Sequence, residues 1–162
     1  MSAEFIYALD QLQSEKGIDK NVLLEAIESA LVSAYKRNFG TTQNVRVSID
    51  SVTGDVRVFA LKKVKASPQI ENEEISIEDA RRINPEYDEG DIAEIEVTPR
   101  KFGRIAAQTA KQVIMQKIRE AERTNIYEEY SNKEGDIVTG IVQRTEKRNV
   151  ILDLGKTEAI LA

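Results

Sequence analysis

The sequence predicts an α+β fold, with a three-stranded, mostly antiparallel sheet packed against helices, then one long helix, then the first strands of an incomplete β-barrel. Residues 102–130 hold no proline and repeat small or apolar side chains at helical spacing. Three shorter segments alternate apolar with polar side chains, which is typical of strands with one buried face. We expect a first domain over residues 1–132 and a truncated barrel over residues 133–162.

Two helices open the chain. Ser2 is placed to cap a helix over residues 3–16, and a second helix runs from its cap at Asp19 to about Asn38, where Gly40 ends it. The second helix has apolar side chains around more than one face, which predicts packing on two sides.

A hairpin and a third strand follow. Residues 45–49 and 56–60 alternate and are joined by a turn, which predicts two antiparallel strands. Residues 62–72 are polar and predict a loop. Residues 76–84 start with an approximate capping box and predict a short helix, and residues 93–97 alternate again as a third strand.

The long helix is the central element of the prediction. Thr98 suits the cap and Pro99 the first helical position, so we expect the helix to start near Pro99 and to end near Tyr130. Such a helix is roughly 45 to 50 Å long, which exceeds the core of a small domain. Its polar face is basic, so we expect it to connect two domains and to present cations.

The end of the chain has a different pattern. Residues 137–142 and 150–154 are apolar on both faces and flank a charged turn, and a further strand begins near residue 162. A two-stranded piece cannot bury such side chains alone. Either it docks on the first domain or it is part of a barrel that the sequence cuts, and we favour the second alternative.

Composition narrows the class of protein. The 162 residues include no cysteine and no histidine, which excludes disulfides, thiolate metal sites, the serine triad and most zinc sites. Acidic pairs such as Asp91 and Glu94 have no nucleophile or phosphate-binding loop beside them. We therefore predict no enzyme, no cofactor, no metal and no small-molecule ligand. No apolar run or signal-like start is present, which favours a cytoplasmic protein without membrane contact.

Charge is segregated along the chain. The net charge is −5, yet residues 71–97 hold eleven acids and two arginines, whereas residues 100–123 hold seven cations and two acids. These stretches are called the acidic segment and the basic segment below. Either they meet partners of opposite charge, or they pair with each other.

Three stretches carry a resemblance to a known family. RIAAQTAKQVIMQKIREAER (residues 104–123), AIESALVSAYKRNF (26–39) and NVRVSIDSVTGDVRVF (44–59) resemble the amino-terminal domain of the NusA family of bacterial transcription factors. The tail from Glu134 resembles the start of the OB-type barrel, of ribosomal S-one kind, that follows in that family. The resemblance covers essentially the whole chain.

The resemblance implies a transcription elongation and termination factor. Such a factor would bind RNA polymerase beside the RNA exit channel, at the tip of the β-subunit flap, enhance hairpin-dependent pausing and intrinsic termination, and have a role in antitermination. The alternative is a stand-alone RNA-binding module. The tail lacks aromatic side chains on which bases stack.

Two sites follow as hypotheses. A patch of Lys36, Arg37, Arg104 and Lys111 would face the phosphates of a nascent RNA hairpin, unless these cations cap a helix, pair with the acidic segment or are simply solvated.

The second is a polymerase contact at an apolar groove between the first two helices. Its residues are Phe5, Ile6, Leu9 and Val22. Phe5 and Leu9 would otherwise belong to the core, and Ile6 and Val22 are the two expected to be exposed.

Overall fold

The computed structural model describes residues 3–162, so the predicted cap at Ser2 lies outside the described residues. The helices are α1 (Ala3–Lys16), α2 (Lys20–Phe39), α3 (Ile77–Ile83) and α4 (Phe102–Ser131). The strands are β1 (Val45–Ile49), β2 (Val56–Lys65), β3 (Glu74–Ser76), β4 (Ile92–Glu96), β5 (Ile141–Glu146), β6 (Asn149–Asp153) and β7 (Glu158–Leu161). Within residues 3–162, no helix has the length and apolarity needed to span a bilayer.

The chain forms two compact units, Met1–Lys117 (unit 1) and Ile118–Ala162 (unit 2). The boundary falls inside α4, which is a single helix of 30 residues. The predicted α+β class and the long helix are confirmed, and each unit has its own sheet.

The sheet of unit 1 has four strands rather than the predicted three. Strand β2 is central, pairs antiparallel with β1 and β4, and pairs in parallel with the short β3. The predicted loop over residues 62–72 is wrong for its first residues, because β2 continues to Lys65. Lysines surround the one apolar residue here, Val64, which hides the strand in the sequence although Val64 is fully buried.

Apolar side chains on one face of this sheet form the core. Val45, Val47 and Val58 pack with side chains of α1, α2 and α4. Under the far end of β2, Val64 packs with Ala80 of α3 and Ala93 of β4. Helices therefore cover one face of the sheet, and α4 is fixed to the core by its first three turns.

The helix ends confirm most of the predicted caps. A carboxylate oxygen of Asp19 accepts hydrogen bonds from the backbone N–H groups of Asn21 and Val22 at 2.7 and 3.2 Å. Gly40 ends α2 with φ of 60°, a left-handed conformation that glycine adopts at little cost. At α3, the hydroxyl of Ser76 accepts from the N–H of Asp79 at 3.1 Å.

The predicted start of α4 is wrong by three residues. Thr98 does not cap this helix, because its hydroxyl accepts from the N–H of Val58 at 3.0 Å and donates to the carboxylate of Glu96 at 3.2 Å. The helix begins at Phe102, whose N–H donates to the carbonyl of Pro99 at 3.0 Å. Thr98 therefore bonds to the strands at the end of the sheet and is not the N-cap of α4.

Unit 2 carries the antiparallel sheet β5-β6-β7. The strand predicted from residue 137 begins only at Ile141, and the strand expected at the end of the sequence is β7. A Cβ on Gly140 would lie 2.8 Å from a methyl carbon of Leu154 and 3.2 Å from the carbonyl oxygen of Asp153, so Gly140 allows a close approach of two backbone segments. Every side chain of β5 is exposed.

Candidate functional site

Three aromatic rings join the end of α2 to the start of α4. The ring centroids of Tyr35 and Phe39 are 4.9 Å apart, those of Tyr35 and Phe102 are 5.7 Å apart, and those of Phe39 and Phe102 are 6.4 Å apart. Phe102 is 1% exposed and anchors the cluster in the core. These contacts bring the last turn of α2 against the first turn of α4. Arg104 lies in this first turn, and Lys111 follows it two turns later.

Helix α4 has a buried stripe and an opposite basic face. Phe102, Ala106 and Ala110 are buried at successive i, i+4 positions. At about 100° per residue, Arg104 and Lys111 lie about 200° and 180° around the helix from Phe102. Both are exposed. The core contacts of the small residues thus determine that these two cations point to solvent, about 10 Å apart along the axis.

The other two predicted cations lie in the last turn of α2. Arg37 is exposed and Lys36 is half-buried. The backbone carbonyl of Lys36 accepts hydrogen bonds from the N–H groups of Gly40 and of Thr41, the second at 3.2 Å. Because backbone donors satisfy this carbonyl, neither side chain is needed as its hydrogen-bonding cap.

None of these four cations forms an ion pair with a residue between positions 3 and 162. Four of the eleven acids of the acidic segment form ion pairs with other residues of unit 1. These ion pairs are Glu94 with Arg46, Glu74 with Lys65, Asp88 with Arg81 and Asp79 with Arg82. The alternative in which the acidic segment neutralises Arg104 and Lys111 is therefore not what the structure shows.

Two carboxylates of the acidic segment have lowered pKa values because of this internal pairing. The hydrogen bond from Lys65, assisted by backbone N–H groups of Gln69 and Ile70, lowers the pKa of Glu74 to about 2. The hydrogen bonds from Arg46, at 2.8 and 2.9 Å, lower the pKa of Glu94. Both carboxylates are ionised and bound to these partners, so they do not neutralise the cations of α4.

The first two helices present less apolar surface than the sequence suggests. Val22 is 53% exposed and Phe5 is half-buried, but Leu9 is fully buried. The expectation that Ile6 is exposed is wrong, because Ile6 is 5% exposed and belongs to the core. The buried stripe of α1 is centred on Ile6 and Leu9, with Phe5 and Leu12 at its margins. Tyr7, 65% exposed, was missed as a surface residue of the same helix.

Unit 2 has ion pairs of its own at the end of α4. Glu129 accepts hydrogen bonds from Lys133 at 3.2 Å and from Lys156 at 2.9 Å, and Lys156 is the main cause of its lowered pKa. The hydroxyl of Tyr130 donates to the carbonyl of Leu154 at 3.5 Å. These contacts hold the turn between β6 and β7 against the last turns of the helix.

Fold and site together define an α+β domain that presents exposed cations on a long helix, and the comparisons give its family. The family model for the NusA N-terminal domain matches residues 4–124, more than half of the chain. The chain therefore belongs to the NusA family.

Similar proteins agree with this assignment. The chain is 56% identical over 161 residues to the transcription termination/antitermination protein NusA of Bacillus subtilis (99% of this chain, 43% of the relative) and 34% identical over 172 residues to that of Thermus thermophilus (99% and 44%). It thus spans less than half the length of these relatives, whose names describe transcription factors and not enzymes. The solution structure of the N-terminal domain of NusA from B. subtilis superposes with a TM-score of 0.67 at 59% identity, covering 76% of this chain and 99% of that one.

Proposed function

We propose that this chain is the part of a transcription termination and antitermination factor that connects RNA polymerase to the nascent RNA. It binds polymerase beside the RNA exit channel, at the tip of the β-subunit flap, and presents the basic face of α4 to an RNA hairpin. In this way it prolongs hairpin-dependent pauses and favours intrinsic termination. The observation that carries the proposal is the pair Arg104 and Lys111, which are exposed on one face of α4 and form no ion pair among residues 3–162.

Charge and spacing suit the backbone of an RNA duplex. Arg104 and Lys111 are two turns apart on one face, so they reach phosphates about 10 Å apart. Attraction between cations and phosphates requires no particular base sequence, and an RNA duplex shows few readable base edges in its narrow major groove. A factor that acts at many different hairpins needs this kind of contact.

The polymerase contact of the proposal lies on α1 and α2. A small apolar helix such as a flap tip is commonly received between two helices. Of the four residues predicted for this contact, Val22 and Phe5 have surface available, whereas Ile6 and Leu9 are buried in the core. We assign direct contact to Val22 and Phe5 on this ground.

Residues 133–162 are proposed as the beginning of an OB-type barrel. Three antiparallel strands are present, and Ile141, Val142 and Ile160 expose more than half of their surface. Exposed apolar residues on a three-stranded sheet are expected where further strands complete a barrel.

The test reverses the charge of two residues and compares two classes of pause. Arg104→Glu with Lys111→Glu should shorten pauses at hairpin-dependent sites and leave hairpin-free pauses nearly unchanged, because only the first class has a duplex to contact. In vitro transcription with the purified factor measures both. The melting temperature should stay close to that of the parent, since both side chains are exposed. Equal loss at both classes would assign the face to polymerase binding.

A further inference from the structure

One aromatic side chain stands out on the surface between α2 and α4. Phe39 is 41% exposed, although its partners Tyr35 and Phe102 are 8% and 1% exposed. Phe39 is the last residue of α2, and its backbone position is fixed by the glycine cap that follows. The ring is thus held in place from inside the protein and open to solvent outside.

A cation lies beside Phe39. Lys36 precedes it by three residues, so the two side chains are neighbours on the helix surface. Arg37 precedes Phe39 by two residues, and Arg104 follows its partner Phe102 by two, so both arginines lie in adjoining turns but on other sides of their helices. An exposed ring beside a cation is a combination by which proteins hold single-stranded nucleic acid, since bases stack on the ring and phosphates meet the cation.

We infer that Phe39 stacks on an unpaired nucleobase of RNA that lies beside the paired stem. The inference rests on the proposed function of the basic face and names a second element of its ligand. The cations would follow the backbone of the stem, and Phe39 would receive the first base that is free to leave the stack at its end. The preferred ligand is then a hairpin with a single-stranded flank rather than a blunt duplex.

Charge decides between RNA and a protein segment as the occupant. An apolar protein segment would gain from the ring alone and would leave Lys36 without a counter-charge. A nucleotide satisfies the ring and Lys36 together, because each base is attached to a phosphate. The rigid support from Tyr35 and Phe102 also lowers the entropic cost of ordering the platform.

The test uses the 162-residue chain and two labelled RNA hairpins with the same stem, one blunt and one with three unpaired nucleotides at its 3′ end. Fluorescence anisotropy gives the affinity for each. The parent should bind the flanked hairpin about tenfold more tightly, because stacking on an aromatic ring is worth about 1 to 3 kcal/mol per base. Phe39→Leu, which keeps an apolar side chain over Tyr35, should abolish this preference, and Phe39→Trp should keep it.

A second readout is spectroscopic. With 2-aminopurine as the first unpaired base, binding of the parent should change the fluorescence through stacking, and binding of Phe39→Leu should not. Equal affinity of the parent for both hairpins, or a preference that survives in Phe39→Leu, would overturn the inference.

The experiments distinguish failure of the stacking inference from failure of the proposed function. If the stacking idea alone is wrong, Arg104→Glu with Lys111→Glu still weakens binding of both hairpins. If the basic face does not bind RNA, this double variant binds both hairpins as the parent does.

Discussion

At the scale of single residues, Glu74 shows how one acid of eleven acquires a structural role. It is 8% exposed, pairs with Lys65, and accepts hydrogen bonds from the backbone N–H groups of Gln69 and Ile70 at 2.7 and 3.3 Å. These bonds tie the loop after β2 to the start of β3. Sequence analysis could not distinguish Glu74 from its acidic neighbours, because the backbone donors reach it only through the fold of the loop.

Glu74→Gln should therefore destabilise unit 1 in a pH-dependent way. The pKa of this carboxylate falls from 4.5 to about 2 on folding, so its stabilisation is present in full above about pH 5 and is lost as pH falls toward 2. Denaturant midpoints measured between pH 7 and pH 2 should show a deficit of the variant at pH 7 that shrinks below pH 5. Glu73→Gln, at an exposed neighbour, should show little deficit at any pH. A constant deficit across the range would mean that the change acts through packing.

At the scale of elements, the structure of α1 and α2 distinguishes apolar core residues from apolar surface residues that the sequence alone does not distinguish. Val22 is 53% exposed and Ile6 is 5% exposed, though both were expected to lie off the buried stripes. For α2 the pattern was sufficient, because its buried residues repeat clearly from Leu23 to Tyr35, over more than three turns. For α1 it was not, because apolar and small residues at positions 5, 6, 8, 9 and 12 allow more than one buried stripe.

Aspartate substitutions at Val22 and Ile6 test the assignment of Val22 to the surface and Ile6 to the core. Val22→Asp should weaken binding of a labelled flap-tip peptide about tenfold, because an apolar contact is replaced by a charge, and should leave the melting temperature nearly unchanged. Ile6→Asp should cost about 3 kcal/mol or more of stability, because it buries an unpaired carboxylate. Thermal melts and peptide titrations of both variants provide the measurement. A peptide affinity unaffected by Val22→Asp would remove this residue from the polymerase contact.

Other elements were predictable where a local pattern determines them and not where contacts with distant segments do. Helix α4 is long and strongly periodic, so local pattern alone revealed it. Strand β3 has three residues and pairs in parallel with the end of β2, and such a pairing depends on distant chain segments. Thr98 illustrates the same point. Its hydroxyl could cap α4 or bond to the backbone of β2, and only the fold shows that it bonds to Val58 of β2. The outward direction of the cations was predictable from the helical period, whereas the exposed ring of Phe39 was not, since sequence alone does not show which of three clustered aromatics is outermost.

At the scale of the whole molecule, the position of charge matters more than its sum. A net charge of −5 opposes binding to RNA, yet the acidic segment is neutralised in part by its own ion pairs with Arg46, Lys65, Arg81 and Arg82. Arg104 and Lys111 on the basic face form no ion pair within residues 3–162. The chain can therefore attract a polyanion locally while its total charge is negative, and such an attraction weakens steeply with salt.

Two neutralising double variants separate local charge from total charge. Arg104→Gln with Lys111→Gln and Arg81→Gln with Arg82→Gln each make the chain two charges more negative. The first should lower the slope of log affinity for an RNA hairpin against log salt by about 1.5, since each phosphate contact contributes about 0.7 to 0.9. The second should leave the slope unchanged, because those arginines serve exposed ion pairs of small energetic value. Anisotropy titrations between 50 and 300 mM KCl measure both slopes, and an equal change in the two variants would show that total charge, and not the basic face, governs RNA binding.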